Sequence, residues 1–389
     1  FYRDNDAVYG NTFSNRTFTN TIDMSNSLFD IYNCPESNVT GVWVDIEPEA
    51  EIGYDGSSGD LCAVTDDVWV SPTGSDNTGD ATQNNPVKTI AFALEVIAPT
   101  ELDPIIIHLE EGTYSPITNG ESFPIVMISN IHFSGAGEEL TILDARQSNR
   151  VINIEYVDNV TVSDLTITRG LAGTLGLADP DTEFPWSSGG GLSLWSSDPI
   201  LTNLTITGNS AGGAGGGLCI FSNSNPIFDN VTISQNESTW FGGGLYISES
   251  NPTLTNGVIS QNTGKAGGGI MLVRGSGTFT NLIIDSNISN GAGNNFEPPG
   301  NGGGIWMRYS DPIMNNVTVT NNVASYWGGG INIFAEDDAI AATNVTIVNN
   351  TAGSGGGGMN INGESDLVSI KNSILWENNP NSLDAWYPM

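Results

Sequence analysis

Seven glycine triplets, beginning at Gly189, Gly215, Gly242, Gly267, Gly302, Gly328 and Gly356, cut the second half of this chain into near-equal lengths. The spacings are 26, 27, 25, 35, 26 and 28 residues. Self-similarity at such a period means stacked supersecondary units, each too thin to bury its apolar face alone. Between triplets the hydrophobic period is two, which is the period of a strand.

Each triplet leads into an alternating run such as Leu192-Ser193-Leu194-Trp195 or Ile331-Asn332-Ile333-Phe334. The first and third residues are aliphatic and face inward. An Asx-Pro turn follows at Asp198-Pro199, Asn225-Pro226, Asn251-Pro252 and Asp311-Pro312; the Asx side chain caps such a turn and Pro presets its φ. A later run, Asn203 to Asn209, carries two asparagines six apart, and the pair recurs as Asn230/Asn236, Asn256/Asn262, Asn281/Asn287, Asn316/Asn322 and Asn344/Asn350. Three short strands per 25–28 residues make one rung of a parallel β-helix, with rungs about 4.8 Å apart. Asn209, Asn236, Asn262, Asn287, Asn322 and Asn350 are then expected to stack as a ladder of amides. Asn203, Asn230, Asn316 and Asn344 match a glycosylation sequon, but the repeat itself generates the match, and a ladder asparagine is expected to be inaccessible.

Degenerate copies precede the triplets: Ile152-Asn153-Ile154, then Asp164 to Thr168, and further back the apolar runs Ile105–Ile107 and Ile125–Ile128. Residues 86–98 depart from the pattern. Ile90, Ala93, Leu94 and Ile97 fall at helical spacing, which predicts a helix of about three turns covering the open apolar end of the solenoid. The expected organisation is an irregular acidic segment over 1–65, which reads either as a domain or as the tail of an earlier solenoid, and a β-helix over 66–389 with regular rungs at 189–380. The chain starts at Phe1 and reads as processed or as a fragment.

Only 14% of residues are charged, and 44 acidic residues face 10 basic ones, for a net charge of −34. Such a chain repels phosphate backbones and anionic lipid, so nucleic acid is excluded as a partner. No run reaches the roughly 18 apolar residues of a membrane span. The carboxylates serve as a solubilising coat or as calcium ligands; those at Asp45, Glu47, Glu49, Glu51, Asp55 and Asp60 gather in one stretch without ordered ligand spacing. Of three cysteines, Cys34 and Cys62 flank one segment and are a candidate disulfide, leaving Cys219 over.

These residues together resemble the pectate-lyase-like right-handed β-helix superfamily, and within it the repeat-rich secreted and surface proteins of the polymorphic outer membrane protein type. The Gly-Gly-Gly-Ile/Leu strands and Asn-x-Thr-Ile-x-x-Asn runs carry the likeness over about 150–380. Val68-Trp69-Val70-Ser71-Pro72 and Asn85-Pro86-Val87-Lys88-Thr89-Ile90 resemble the opening segment and cap helix of such proteins. The resemblance implies a right-handed fold and an extracellular or cell-surface location. It leaves activity open, because the superfamily holds lyases, hydrolases, adhesins and structural proteins.

The superfamily's enzymes work on an outward strand face. After the triplets, the first outward column is Ser193, Cys219, Tyr246, Met271, Trp306, Asn332 and Asn360, and the second is Trp195, Phe221, Ser248, Val273, Arg308, Phe334 and Asn362. Neither holds a carboxylate, which metal-assisted elimination and acid-pair hydrolysis both need. The weak catalytic candidates are Arg274 and Arg308 on adjacent rungs, Lys265, and Tyr246 or Tyr309 as acid. Trp195, Phe221, Tyr246, Trp306 and Phe334, flanked by Trp186, Trp240 and Trp327 in the loops before the triplets, form an aromatic stripe. A stripe this long marks a contact surface, unless those loops fold back over it. The leading expectation is a non-catalytic module for adhesion or assembly, its partner another protein or a polysaccharide. The alternatives are a metal-independent uronate lyase or glycan binder, and a self-assembling filament subunit.

Overall fold

A computed structural model describes residues 22–23, 52–53, 64–173, 187–294, 297–335, 340–363 and 368–386. Among them the architecture is strand upon strand with one helix. Strand pairing is parallel throughout, apart from the hairpin of Ala292–Asn294 with Glu297–Pro299.

Three sheets run along the solenoid. The strands that follow the triplets form a ten-stranded sheet in chain order, from Ile125–Val126 to Leu383–Trp386. Long strands such as Ile200–Thr207 and Ile227–Ser234 make the second, and seven short strands from Leu171–Ala172 to Thr351–Ala352 make the third. Leu192 pairs with Leu218, Leu218 with Leu245, Leu245 with Ile270 and Ile270 with Ile305. The 35-residue spacing therefore does not disturb register: the extra residues leave as the 292–299 hairpin. A one-residue slip would turn every aliphatic side chain outward, so the buried face specifies this alignment. Leu218, Ile220, Leu245, Ile247, Ile270 and Leu272 are all fully buried in the continuous core.

The triplet has three separate causes, seen at Gly242-Gly243-Gly244. Gly242 has φ +58, the left-handed region that favours glycine. A Cβ on Gly243 would lie 2.4 Å from the Thr263 carbonyl carbon and 2.5 Å from the Gly268 oxygen. One on Gly244 would lie 2.8 Å from Asn262 Nδ2. The corner is thus closed by the next turn's backbone and by the buried asparagine ladder beside it. In that ladder Asn209 Nδ2 donates to Asn236 Oδ1 at 3.1 Å and Asn262 Nδ2 to Asn287 Oδ1 at 2.9 Å, and the series runs through Asn322 and Asn350 to Asn378.

The first asparagine of each pair behaves differently from expectation. Asn230, Asn256, Asn281 and Asn316 are exposed, at φ +54 to +56. An outer ladder runs from Asn316, whose Nδ2 donates to Asn281 Oδ1 at 2.8 Å, through Asn281 to Asn256 at 3.0 Å, and Asn256 donates to Asp229, while Asn230 donates to Asn203. A left-handed bend throws their side chains outward, so these asparagines are accessible.

The helix spans Ile90–Val96, about two turns rather than three. Thr89 caps it, accepting from Phe92 N at 3.1 Å. Val87 is instead bridged to Val70, and Ile97 is extended and bridged to Val64; Pro99 biases the preceding residues away from helix. Ile90 and Ala93 are buried in the core at the first turn, as a cap requires. Ile22–Asp23 pairs in parallel with Ile52–Gly53. Cys34, Cys62, the carboxylates at 45–60, and Trp186 lie outside the described residues.

Candidate functional site

The aromatic stripe points away from the main core, as strand parity requires, but three of its rings hardly meet solvent. Phe221, Tyr246 and Trp306 are 7%, 7% and 8% exposed. They form a second apolar cluster with Ala214, Cys219, Ala266 and Met271, bordered by Trp195, Phe241 and Val273. Phe221 lies 5.4 Å from Trp195 and 5.6 Å from Tyr246, ring centre to ring centre, and Phe241 reaches both Tyr246 and Trp306. The loops before the triplets supply the cover, which corrects the expectation of an open binding face at these three residues. The position directly before each triplet varies from Ala214 and Ala266 to Phe241, and all three of these side chains pack into the cluster or against it. Trp240 and Trp327 in the same loops are half-buried.

Burial also removes Tyr246 as an acid. Desolvation, helped by the nearby Cys219, holds its hydroxyl well above the usual tyrosine range. Lys265 is half-buried in the loop before Gly267 and lies outside the group around the two arginines.

That group sits at the rim of the same sheet. Just past each strand the chain turns through a left-handed residue: Ser222, Glu249, Arg274 and Tyr309 have φ +51 to +55. The conformation belongs to the repeat, and it projects these side chains off the corner. Arg274 and Tyr309 occupy neighbouring turns, beside Val273 and Arg308, which pair in register. The backbones are joined where Arg274 N donates to Arg308 O at 3.1 Å. Both guanidinium groups stand over Tyr309, with Cζ 5.9 Å from the ring centre for Arg274 and 4.9 Å for Arg308. Arg308 also lies 5.5 Å from the Phe334 ring and donates to the Tyr309 hydroxyl at 3.2 Å. Arg274 approaches Glu249 at 3.7 Å, with both side chains more than half exposed, an arrangement that contributes little stability. Val273, Arg274, Arg308 and Tyr309 line a shallow pocket of about 360 Å³.

The arginines therefore present outward-facing donors in a rigid fork, steadied by ring faces, which suits carboxylate or sulfate oxygens. Among the described residues no three of His, Cys, Asp or Glu gather where they could hold a metal ion. Both histidines lie on the early turns, far along the solenoid, where His108 stacks on Trp69 at 4.4 Å and approaches Asp67 at 3.9 Å.

Residues 118–297 match a family model described as a right handed beta helix region. Among solved structures the chain is similar to pectate lyase Pel9A, at 16% identity over 82% of this chain and 79% of that one, with a TM-score of 0.49. It is similar to the A-module of mannuronan C-5 epimerase AlgE4 from Azotobacter vinelandii, at 13% identity over 72% and 88%, TM-score 0.40. It is also similar to pectin methylesterase PemA from Erwinia chrysanthemi, at 13% identity over 84% and 89%, TM-score 0.38. No curated protein sequence matches the chain. Likenesses at this level carry no activity across.

Proposed function

We propose that this chain, a right-handed parallel β-helix in fold, serves outside the cell as a non-catalytic module binding acidic polysaccharide. The observation that carries this is the convergence of Arg274 and Arg308, from successive turns, over the face of Tyr309. In a chain of net charge −34, two adjacent exposed cations are conspicuous. Their forks bond a sugar carboxylate, while Tyr309 and Phe334 give apolar support to a ring beside it. Adhesion or assembly then operates through this rim. The buried part of the aromatic stripe is packing.

The test is a titration of the purified chain with an oligogalacturonate and with an uncharged oligosaccharide, each with and without calcium. Binding of the charged sugar alone, lost in the Arg274→Ala/Arg308→Ala double variant, supports the reading. Equal binding of both sugars, or of neither, overturns it. Unsaturated, ultraviolet-absorbing products would turn the rim into the active site of a lyase. Binding that needs calcium and survives the double variant would move recognition to the acidic coat.

A further inference from the structure

A carboxylate stands at one end of the arginine rim. Along this corner the left-handed residues of successive turns are Ser196, Ser222, Glu249, Arg274 and Tyr309. Backbone bonds fix their order: Asn223 N donates to Glu249 O at 2.8 Å, Glu249 N to Val273 O at 3.0 Å, and Arg274 N to Arg308 O at 3.1 Å. Positive charge is confined to the last two of these turns, at Arg274 and Arg308. On the far side of Arg274 comes Glu249, with its carboxylate 3.7 Å from the guanidinium. Beyond it lie Ser222 with the exposed Asn223, then the exposed Ser196. No lysine or arginine stands at 196–198, 222–225 or 249–251.

The corner is therefore directional. Both side chains of the Arg274–Glu249 pair are more than half exposed, so the pair is weak and yields to an anion that approaches both arginines at once. Glu249 does not leave with it, because its backbone is fixed in the stack of turns. The displaced carboxylate stays beside the site and acts on whatever sugar residue is joined to the bound one. A second sugar carboxylate there meets a like charge. A neutral sugar meets an acceptor for its hydroxyls, and further hydroxyl and amide partners at Ser222 and Asn223.

We infer that Glu249 is a specificity residue of this rim, favouring glycans in which an acidic residue is joined to a neutral one over uninterrupted polyuronate. Given the rim reading above, on which this rests, the arginines supply the grip and Glu249 the discrimination. Specificity is a difference between two affinities, and a repulsive element aimed at the wrong ligand produces it. Two like charges about 5 Å apart at a hydrated surface change affinity about three- to fivefold at low salt. Polyuronate therefore still binds, but its further charged residues add nothing on the Glu249 side.

The experiment is calorimetric titration at low salt of the full chain, Glu249→Gln and Glu237→Gln with two tetrasaccharides. One is an oligogalacturonate; in the other, glucuronate alternates with a neutral N-acetylated sugar. Glutamine fits a left-handed corner, as Gln235 at φ +55 and Gln261 at φ +56 show. Glu237→Gln removes the same charge from another sheet. The native chain should prefer the alternating sugar. Glu249→Gln should tighten the oligogalacturonate about three- to fivefold and the alternating sugar less than about twofold, since the exposed ion pair is weak. Glu237→Gln should leave the preference unchanged. Equal gains for both sugars would make Glu249 a plain competitor for Arg274 and overturn the inference. So would no gain for either while the Arg274→Ala/Arg308→Ala variant still loses binding, which leaves the rim standing. Binding of neither sugar by any of the three chains would overturn the rim and this inference together.

Discussion

Asn236 donates both its backbone nitrogen and its side-chain nitrogen to a single atom, Oδ1 of Asn262, at 3.0 Å each. Asn262 in turn donates its Nδ2 to Ile233 O at 2.9 Å and to the next asparagine of the ladder. Every rung thus satisfies the one before it in a place that water does not reach. Asn262→Ala strips an acceptor from two buried donors and a donor from a buried carbonyl. We expect a loss on the order of 3 kcal/mol, read by denaturant unfolding. A loss under about 1 kcal/mol would mean that water replaces the amide.

The middle glycine of each triplet is set by a neighbour rather than by its own φ. Gly243→Ala places a methyl carbon against the Thr263 and Gly268 backbone, neither of which can rotate away. Destabilisation of about 1–3 kcal/mol is expected. Alanine at Gly120, where nothing lies within 4 Å but φ is +81, tests the opposite case: a backbone cost of about 1 kcal/mol without any clash.

Trp306 separates packing from binding. As a member of the second cluster, its replacement by alanine should cost about 3–5 kcal/mol in stability, while affinity for an acidic oligosaccharide stays unchanged in the folded fraction. A Trp306→Ala chain with native melting and lost affinity would restore the aromatic binding face.

Glu121 links stability to pH. It is 2% exposed and accepts from Ile90 N at 2.7 Å and Ala91 N at 3.1 Å at the start of the cap helix. Burial, the largest influence, lifts its carboxyl from 4.5 to about 7, and the two backbone donors pull it only partly back. The folded chain therefore binds this proton more tightly than the unfolded chain. The resulting stability is complete below pH 4.5 and is lost as pH rises through about 7. Glu121→Gln removes the slope. The difference in unfolding free energy between native chain and variant should change by up to about 3 kcal/mol across that window. Parallel stability curves would show that Glu121 does not titrate there.

Arg308→Ala should weaken binding of an acidic oligosaccharide about tenfold, or about 1.4 kcal/mol. Arg308→Lys should recover only part of it, because a point charge cannot grip a carboxylate bidentately or lie flat on Tyr309 and Phe334. Full rescue by lysine would reduce the rim to a simple charge effect.

Much of this molecule was legible before any coordinates. The triplet spacing and the period of two specify stacked parallel strands, and the asparagine pairs specify which side chains align from turn to turn, because those are relations along one repeating chain. The cap helix was visible from Ile90 and Ala93, but its ends were not. Thr89 as N-cap and the strand bridges of Val87 and Ile97 are tertiary facts that override helical spacing. Parity likewise told which side chains point away from the core, and it put Arg274 and Arg308 on adjacent turns.

Parity could not tell outward from exposed. Whether Phe221, Tyr246 and Trp306 meet water depends on loops that come from a different part of each turn, and loop placement follows from packing rather than from period. The same holds at the outer asparagines, where one left-handed residue per turn converts an expected buried ladder into an accessible one. The sequence by itself determined the solenoid, since repetition forces each turn to bury itself on the next. Only the tertiary structure decided where that solenoid offers a partner anything to hold, because exposure depends on what packs above a residue, and that is written elsewhere in the chain.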